Sequence, residues 1–272
     1  MKKLIFLDID GTIRDFDGFI PTSAIQAIKM VRKKGHKVCI STGRTYGQIE
    51  KRVKEIGFDG IVSGSGSYVE FEGRRVRYEV FDSEIYTRLC EYLLKNNCIF
   101  EMQSFQGIYL MKEQLNEFTK IMDKIKKNLG LDANEITLFP SVVQSITEVK
   151  RIEKILFFSD ELSNDRLLEE FKEYLYVVPH SIPNIAKWGG EITPIHVNKA
   201  EGIKSILQQS EFSEADVIAI GDSENDMEML KMASIGIAMG NGAEKVKHVA
   251  DLITSSVRED GILKAFQTLE LI

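Results

Sequence analysis

Asp8-Ile9-Asp10-Gly11-Thr12 sets two carboxylates two positions apart, directly behind the apolar run Leu4 to Leu7. Aspartates at that spacing can address one centre if the chain turns between them, and Gly11 permits the turn. The bland alternative is an Asp-rich turn whose carboxylates cap backbone amides. A second acidic group, Gly221-Asp222-Ser223-Glu224-Asn225-Asp226, also follows an apolar run. Asp222 would stand at a strand end with Asp226 one helical turn on, and such hard oxygen ligands suit Mg²⁺. A helix N-cap with negative charge near the dipole would explain part of this pattern. Three acidic side chains beside a second acidic loop exceed what capping needs.

Carboxylates alone would repel a phosphate, so cationic and hydroxyl partners have to appear. Thr42 offers a hydroxyl beside Gly43, whose backbone can approach a ligand closely. Lys199 lies at the start of an expected helix, where its charge opposes the dipole and invites a binding explanation. Taken alone, Lys199 reads as a solvated surface lysine. Arg44 reads equally as a phosphate ligand or as a surface charge at a helix start.

The elements that must position these groups follow from periodicity. Leu4 to Leu7 is continuously apolar, as a strand buried on both faces would be. A helix capped by Thr22 or Ser23 and stopped by Gly35 follows, then a strand over Lys37 to Ile40. A helix around Thr45 to Ile56 and a short strand, Gly60 to Val62, complete a β-α-β-α-β run. The same grammar returns with a helix over Ala200 to Gln209, strands at Val217 to Ile220 and Ile235 to Met239, and helices over Ser223 to Met232 and Ala243 to Val249. This order implies an α/β fold, a doubly wound parallel sheet with right-handed crossovers, whose strand ends carry the motifs.

Between the halves the texture changes. Cys98 to Gln103, Gly107 to Met111, Val142 to Thr147 and Ile155 to Phe158 read as strands. Charged helices, Lys112 to Lys127 and Asn164 to Tyr174, separate them. We read residues 1–82 and 188–272 as a core and 83–187 as an inserted α/β module.

The chain has 272 residues, 43% hydrophobic and 28% charged, with a net charge of −6. That is ordinary for a globular protein and argues against a nucleic-acid partner, which wants clustered positive charge. Three cysteines without metal spacing argue against disulfides or structural zinc, and Cys39 reads as a buried thiol. The N-terminus reaches Asp8 too soon for a secretory leader, and no run is long enough to span a bilayer, so a cytoplasmic protein with no membrane partner is expected. Oligomeric state is not legible.

Together, Asp-x-Asp-Gly-Thr, Thr-Gly-Arg, the lysine motif and Gly-Asp-x-x-Asn-Asp resemble the haloacid dehalogenase superfamily of phosphohydrolases. The large insertion between the second and third motifs is similar to the α/β cap of its Cof-like branch. The segment Gly236-Ile237-Ala238-Met239-Gly240-Asn241-Gly242 also looks like that branch. The resemblance implies a Rossmann-like core under a mobile cap, a Mg²⁺ cofactor and hydrolysis of small phosphorylated metabolites, either sugar phosphates or phosphorylated cofactors. It casts Asp8 as the nucleophile that becomes an aspartyl-phosphate and as a metal ligand. Asp10 becomes the general acid/base, with its backbone carbonyl on the metal. Thr42 and Lys199 would hold phosphoryl oxygens, and Gly11, Gly43 and Arg44 would line the phosphate site. Asp222 would ligate the metal and Asp226 would support it, while Asn225 would position Lys199 or the phosphoryl group. Ala200 stands where the family usually has Gly, and Ser65-Gly66-Ser67 replaces the branch's more usual Asn-Gly-Ala. Both changes are expected to alter substrate contact at most. A phosphomutase using the same intermediate is the enzyme alternative, and a phospho-accepting signalling module is the non-enzyme one.

Four further residues attract notice. Trp188 reads as hinge packing before a stacking platform, and His196 as an exposed loop residue. Glu101 and Gln103 share one strand face, whose direction the sequence leaves open.

Overall fold

A computed structural model describes residues 2–129, 140–180 and 186–272. The chain divides into two compact units: residues 1–44, 49–78 and 198–272 form the first, and residues 45–48 and 79–197 the second.

The first segment supplies β1 (Leu4–Leu7), α1 (Thr22–Lys33), β2 (Lys37–Ser41), α2 (Lys51–Lys54), β3 (Gly60–Ser63), β4 (Tyr68–Phe71) and β5 (Arg74–Tyr78). The middle segment supplies α3 (Ser83–Lys95), β6 (Ile99–Ser104), β7 (Gly107–Met111), α4 (Leu115–Leu129), β8 (Ser141–Val143), β9 (Ile152–Ser159), α5 (Asn164–Phe171), β10 (Leu175–Pro179) and β11 (Trp188–Pro194). The last segment supplies α6 (Lys199–Leu207), β12 (Val217–Gly221), α7 (Met227–Met232), β13 (Ile235–Ala238), α8 (Glu244–Val249), β14 (Leu252–Ile253) and α9 (Gly261–Thr268).

In the first unit the described strands run β14-β13-β12-β1-β2-β3-β4-β5, parallel up to β3 and antiparallel across β4 and β5. All four side chains of β1 are buried. Ile5 and Leu7 join one apolar cluster with Ile28, Val31 and Phe266, while Leu4 and Phe6 join another with Ile203, Met229 and Val246. Successive strand side chains point to opposite faces, so an uninterrupted apolar run is what a strand sandwiched between helix layers requires. On α1 the buried residues Ala24, Ala27, Ile28 and Val31 fall at helical spacing and form its inward stripe.

The second unit holds its own sheet, β10-β11-β9-β6-β7-β8, antiparallel except for β7 with β8. Phe100, Met102, Ile155 and Phe157 on β6 and β9 pack with Leu89 and Leu93 of α3 and Phe171 of α5. On the same β6 strand Glu101 and Gln103 are both buried, and the Gln103 side-chain amide donates to Glu101 Oε1. Burial, against the pull of Gln103 and Lys154, pushes the Glu101 carboxyl up to about 7.

Several sequence expectations need correction. The module does not end at 187: Trp188 opens β11, which pairs with β9 and β10, and the second unit runs to Val197. Trp188 itself is exposed, with the Lys187 ammonium 5.6 Å above its ring, so it is not hinge packing. The single helix over Thr45 to Ile56 is two short pieces. Gln48 Oε1 accepts from both the backbone N–H and the hydroxyl of Thr45, which holds a 3₁₀ turn at Tyr46–Gln48 apart from α2. Neither Thr22 nor Ser23 caps α1: Pro21 occupies the N-cap, and Ser23 Oγ donates to Asp260 at 2.5 Å. Residues 142–147 divide into β8 and a 3₁₀ turn at Ile146–Glu148. The three cysteines are buried thiols. No helix among the described residues is long and apolar enough to cross a membrane.

Candidate active site

Asp8, Thr42 and Asp222 each stand just past the end of a parallel strand. The register aligns Leu7 of β1 with Ile40 of β2 and Ile220 of β12, and the Asp8 N–H donates to the Ile220 carbonyl at 3.0 Å. The three side chains therefore emerge at one level of the sheet, at its carboxyl edge.

Lys199 comes from the opposite direction. Asn198 caps α6 by accepting from the Glu201 N–H at 2.9 Å, so Lys199 is the first helical residue. Its side chain is 1% exposed, which overturns the surface-lysine alternative. Nζ donates to Asp8 Oδ1 at 2.7 Å and to Asp226 Oδ1 at 2.5 Å. Burial opposes this charge, but the carboxylates of Asp226 and Asp8 outweigh it and raise the lysine pKa. Asn225 Oδ1 accepts from Ser223 Oγ at 2.8 Å.

Asp226 is fully buried, and its two carboxylate oxygens take different partners. Oδ1 takes the ammonium, while Oδ2 accepts from the Asp222 and Ser223 N–H groups, each at 3.0 Å, as a cap does. Thr12 Oγ1 donates to Asp222 Oδ1 at 3.2 Å. Gly11, at φ +84°, lies where any Cβ would meet the Asp222 carboxylate, so the turn needs glycine for space as well as for conformation. Its carbonyl accepts from Asn241 Nδ2 at 2.8 Å.

Asp8, Asp222 and Asp226 can each offer a carboxylate oxygen within 4.8 Å of the others. Burial, with the neighbouring carboxylates, raises Asp222 well above the usual range. Burial outweighs the opposing Lys199 charge at Asp8, and the pKa there rises to about 7. Three buried carboxylates share one ammonium, and the shifted pKa values express that excess of negative charge. A hard divalent cation such as Mg²⁺ fits this donor set.

The Asp10 carboxylate is outside that triad. It receives a fork from Arg44, with Nε at 2.6 Å and Nη2 at 2.9 Å, and a longer contact from Arg14 Nε at 3.4 Å. Arg44 is thus neither a free surface charge nor the start of a helix. Thr42 is 2% exposed, and its Oγ1 accepts from the Arg44 N–H at 3.2 Å. Gly43 forms the turn between them. Ser65-Gly66-Ser67 buttresses the same turn, since the Ser65 N–H donates to the Thr42 carbonyl at 3.0 Å and the Gly64 N–H to the Arg44 carbonyl at 2.6 Å. Ala200 is buried behind Lys199, and His196 is exposed.

Sequence reasoning gave no role to four residues around this edge: Thr12, Arg14, Glu50 and Asn241. Thr12 and Asn241 sat inside quoted motifs. Nothing local marks Arg14 or Glu50, because their meaning is in a tertiary pairing.

A doubly wound sheet carrying an acidic cluster and a buried lysine at the ends of its central strands defines a class of hydrolase. Residues 5–266 match the haloacid dehalogenase-like hydrolase family, and the chain belongs to it. The match agrees with the resemblance carried by the four motifs. The chain is 29% identical over 273 residues to YkrA of Bacillus subtilis (strain 168), covering 100% of this chain and 99% of that one. It is 27% identical over 266 residues to the 5-amino-6-(5-phospho-D-ribitylamino)uracil phosphatase YcsE of the same organism, with coverages of 97% and 94%. Among solved structures it is similar to the HAD subclass IIB sugar phosphatase BT4131, with a TM-score of 0.81, 25% identity and full coverage of both chains.

Proposed function

We propose that this protein is a Mg²⁺-dependent phosphatase of small phosphorylated metabolites that works through an aspartyl-phosphate on Asp8. The observation that carries the reading is the buried Lys199 ammonium bridging Asp8 and Asp226 beside Asp222. A fixed cation sits against the nucleophile, and three carboxylates to one ammonium leave negative charge that can attract a metal.

Asp8, Asp222 and Asp226, with the Asp10 carbonyl, would hold Mg²⁺. Bound there, the ion would offset negative charge on the transferring phosphoryl group. A carboxylate oxygen of Asp8 bonds to phosphorus as the bond to the departing alcohol breaks. Asp10 gives that alcohol its proton, then takes one from the water that cleaves the acyl phosphate. Lys199 favours the ionised form of Asp8 against burial and places positive charge beside the phosphoryl oxygens, and Thr42 adds a hydroxyl. Gly11, Gly43 and Asn225 would complete the phosphate cradle.

Sugar phosphates and phosphorylated cofactors are the favoured substrates; of two similar proteins, one is named a sugar phosphatase and the other a 5-amino-6-(5-phospho-D-ribitylamino)uracil phosphatase. A phosphate-release screen with Mg²⁺ over sugar phosphates, flavin mononucleotide and pyridoxal phosphate tests the reading. Activity should appear in the wild type and vanish in Asp8→Asn; equal release by both proteins contradicts it.

A further inference from the structure

Asp10, Arg14, Glu50 and Arg44 close a ring of alternating charge within the first unit. Arg14 contacts Asp10 and pairs with Glu50; Arg44 forks onto Asp10 and reaches Glu50 at 3.7 Å. Arg52 adds a third arginine to Glu50. Arg14 is 7% exposed, a burial that arginine rarely accepts unless fully paired. Its Nε, 3.4 Å from Asp10 Oδ1, donates to the Asp15 carbonyl at 3.3 Å, and Nη2 donates to the Phe16 carbonyl at 3.4 Å.

Two observations argue that the ring is there for something other than stability. Ion pairs drawn out of water recover their desolvation cost poorly and solvated ones contribute little, so a ring with Arg14 buried and Asp10, Arg44 and Glu50 half-buried is weak ground for stabilising a fold. Glu50 also occupies the N-cap of α2, yet makes no capping hydrogen bond and turns its carboxylate to the guanidinium groups instead. The helix forgoes a cap so that Arg14 and Arg44 can be held.

We propose that Arg14 and Glu50 are positioning residues that fix the Asp10 carboxylate for proton transfer to the leaving group. Glu50 anchors both guanidinium groups; Arg44 then supplies a planar fork that sets the Asp10 carboxylate plane, and Arg14 adds its charge 3.4 Å from Asp10 Oδ1. Neither residue belongs to the acidic triad or contacts Lys199. The proposal rests on the reading of Asp10 as acid and base.

The test compares kcat/KM for phenyl phosphate and p-nitrophenyl phosphate, two similar probes whose departing groups differ in their need for a proton. This parameter covers the steps up to departure of the phenol, so later hydrolysis of the acyl phosphate does not enter. The ratio between probes is independent of how much of a variant is folded. Arg14→Ala and Glu50→Gln should lower the phenyl phosphate value about 10- to 100-fold, the scale of a displaced catalytic group, while p-nitrophenyl phosphate changes less than about 3-fold. Arg14→Lys, which cannot serve two carboxylates in one plane, should fall between. Asp10→Asn should show the same selectivity more strongly. Parallel losses on both probes in the Arg14 and Glu50 variants, with selectivity intact in Asp10→Asn, would overturn the ring's role. Parallel loss in Asp10→Asn itself would instead remove the acid assignment beneath it.

Discussion

Lys199 is the residue on which the charge balance of the site turns. It is a fixed cation inside the acidic triad, hydrogen-bonded to two of its three members. Replacing it with Ala leaves Asp8 and Asp226 buried without a counter-charge. Breaking a buried pair this way costs about 3–5 kcal/mol, so urea denaturation of metal-free Lys199→Ala should show a loss of that order. Phosphate release should fall at least about 100-fold, since a fixed charge on the transferring group is lost. Thr12 acts more gently, by orienting Asp222 through one hydroxyl. Thr12→Val should weaken Mg²⁺ binding by about 10- to 100-fold, as outer-shell partners of metal ligands do, and titration calorimetry reads it directly. The lysine shows how far residue-level reading reaches. Its position at a helix start was legible, whereas its burial was not, because burial depends on which strand ends face that helix.

At the scale of elements, the central strands were the most legible part of the fold. Apolar runs sandwiched between helix layers can sit nowhere else, and Leu4–Leu7 falls where its pattern puts it. The polar joints were less so. Thr45 to Ile56 looks helical by composition, but the Gln48 side chain competes for the backbone and breaks the helix into two turns. The loop after β13 is a joint of this kind. Asn241 donates to the Gly11 carbonyl and accepts from the Val257 N–H at 3.0 Å, tying the β1 loop to two later segments. Asn241→Ala leaves both backbone groups without their partner. We expect about 1–3 kcal/mol of destabilisation, read as a lowered urea midpoint, with a reduced kcat as the Gly11 turn loosens.

For the whole molecule, the metal-free site carries a pH signature. The folded pKa of Asp8, about 7, lies above its ordinary value of 3.8, so the metal-free fold holds an extra proton between those limits. The contribution of Asp8 to stability therefore diminishes as pH rises through that window. Asp222 shifts in the same direction. A divalent cation needs these ligands ionised, so the stabilisation given by a fixed Mg²⁺ concentration should grow as pH rises through that window. Thermal melts with and without Mg²⁺ across that range isolate the effect, because other carboxylates cancel in the difference. In Asp8→Asn the pH dependence should be weaker. The end of the middle segment was harder to read: β11, Trp-Gly-Gly-Glu-Ile-Thr-Pro, has little apolar pattern, and only its pairing with β9 and β10 assigns it to the second sheet.

The central claim is that Asp8 carries the phosphoryl group. Rapid acid quenching during turnover of the best substrate from the screen, followed by peptide mass spectrometry, tests it most directly. The account predicts a transient phosphoryl adduct on the peptide containing Asp8 in the wild type and none in Asp8→Asn, which should also be inactive. Phosphate release by Asp8→Asn at the wild-type rate, with no adduct on the wild-type peptide, would contradict it.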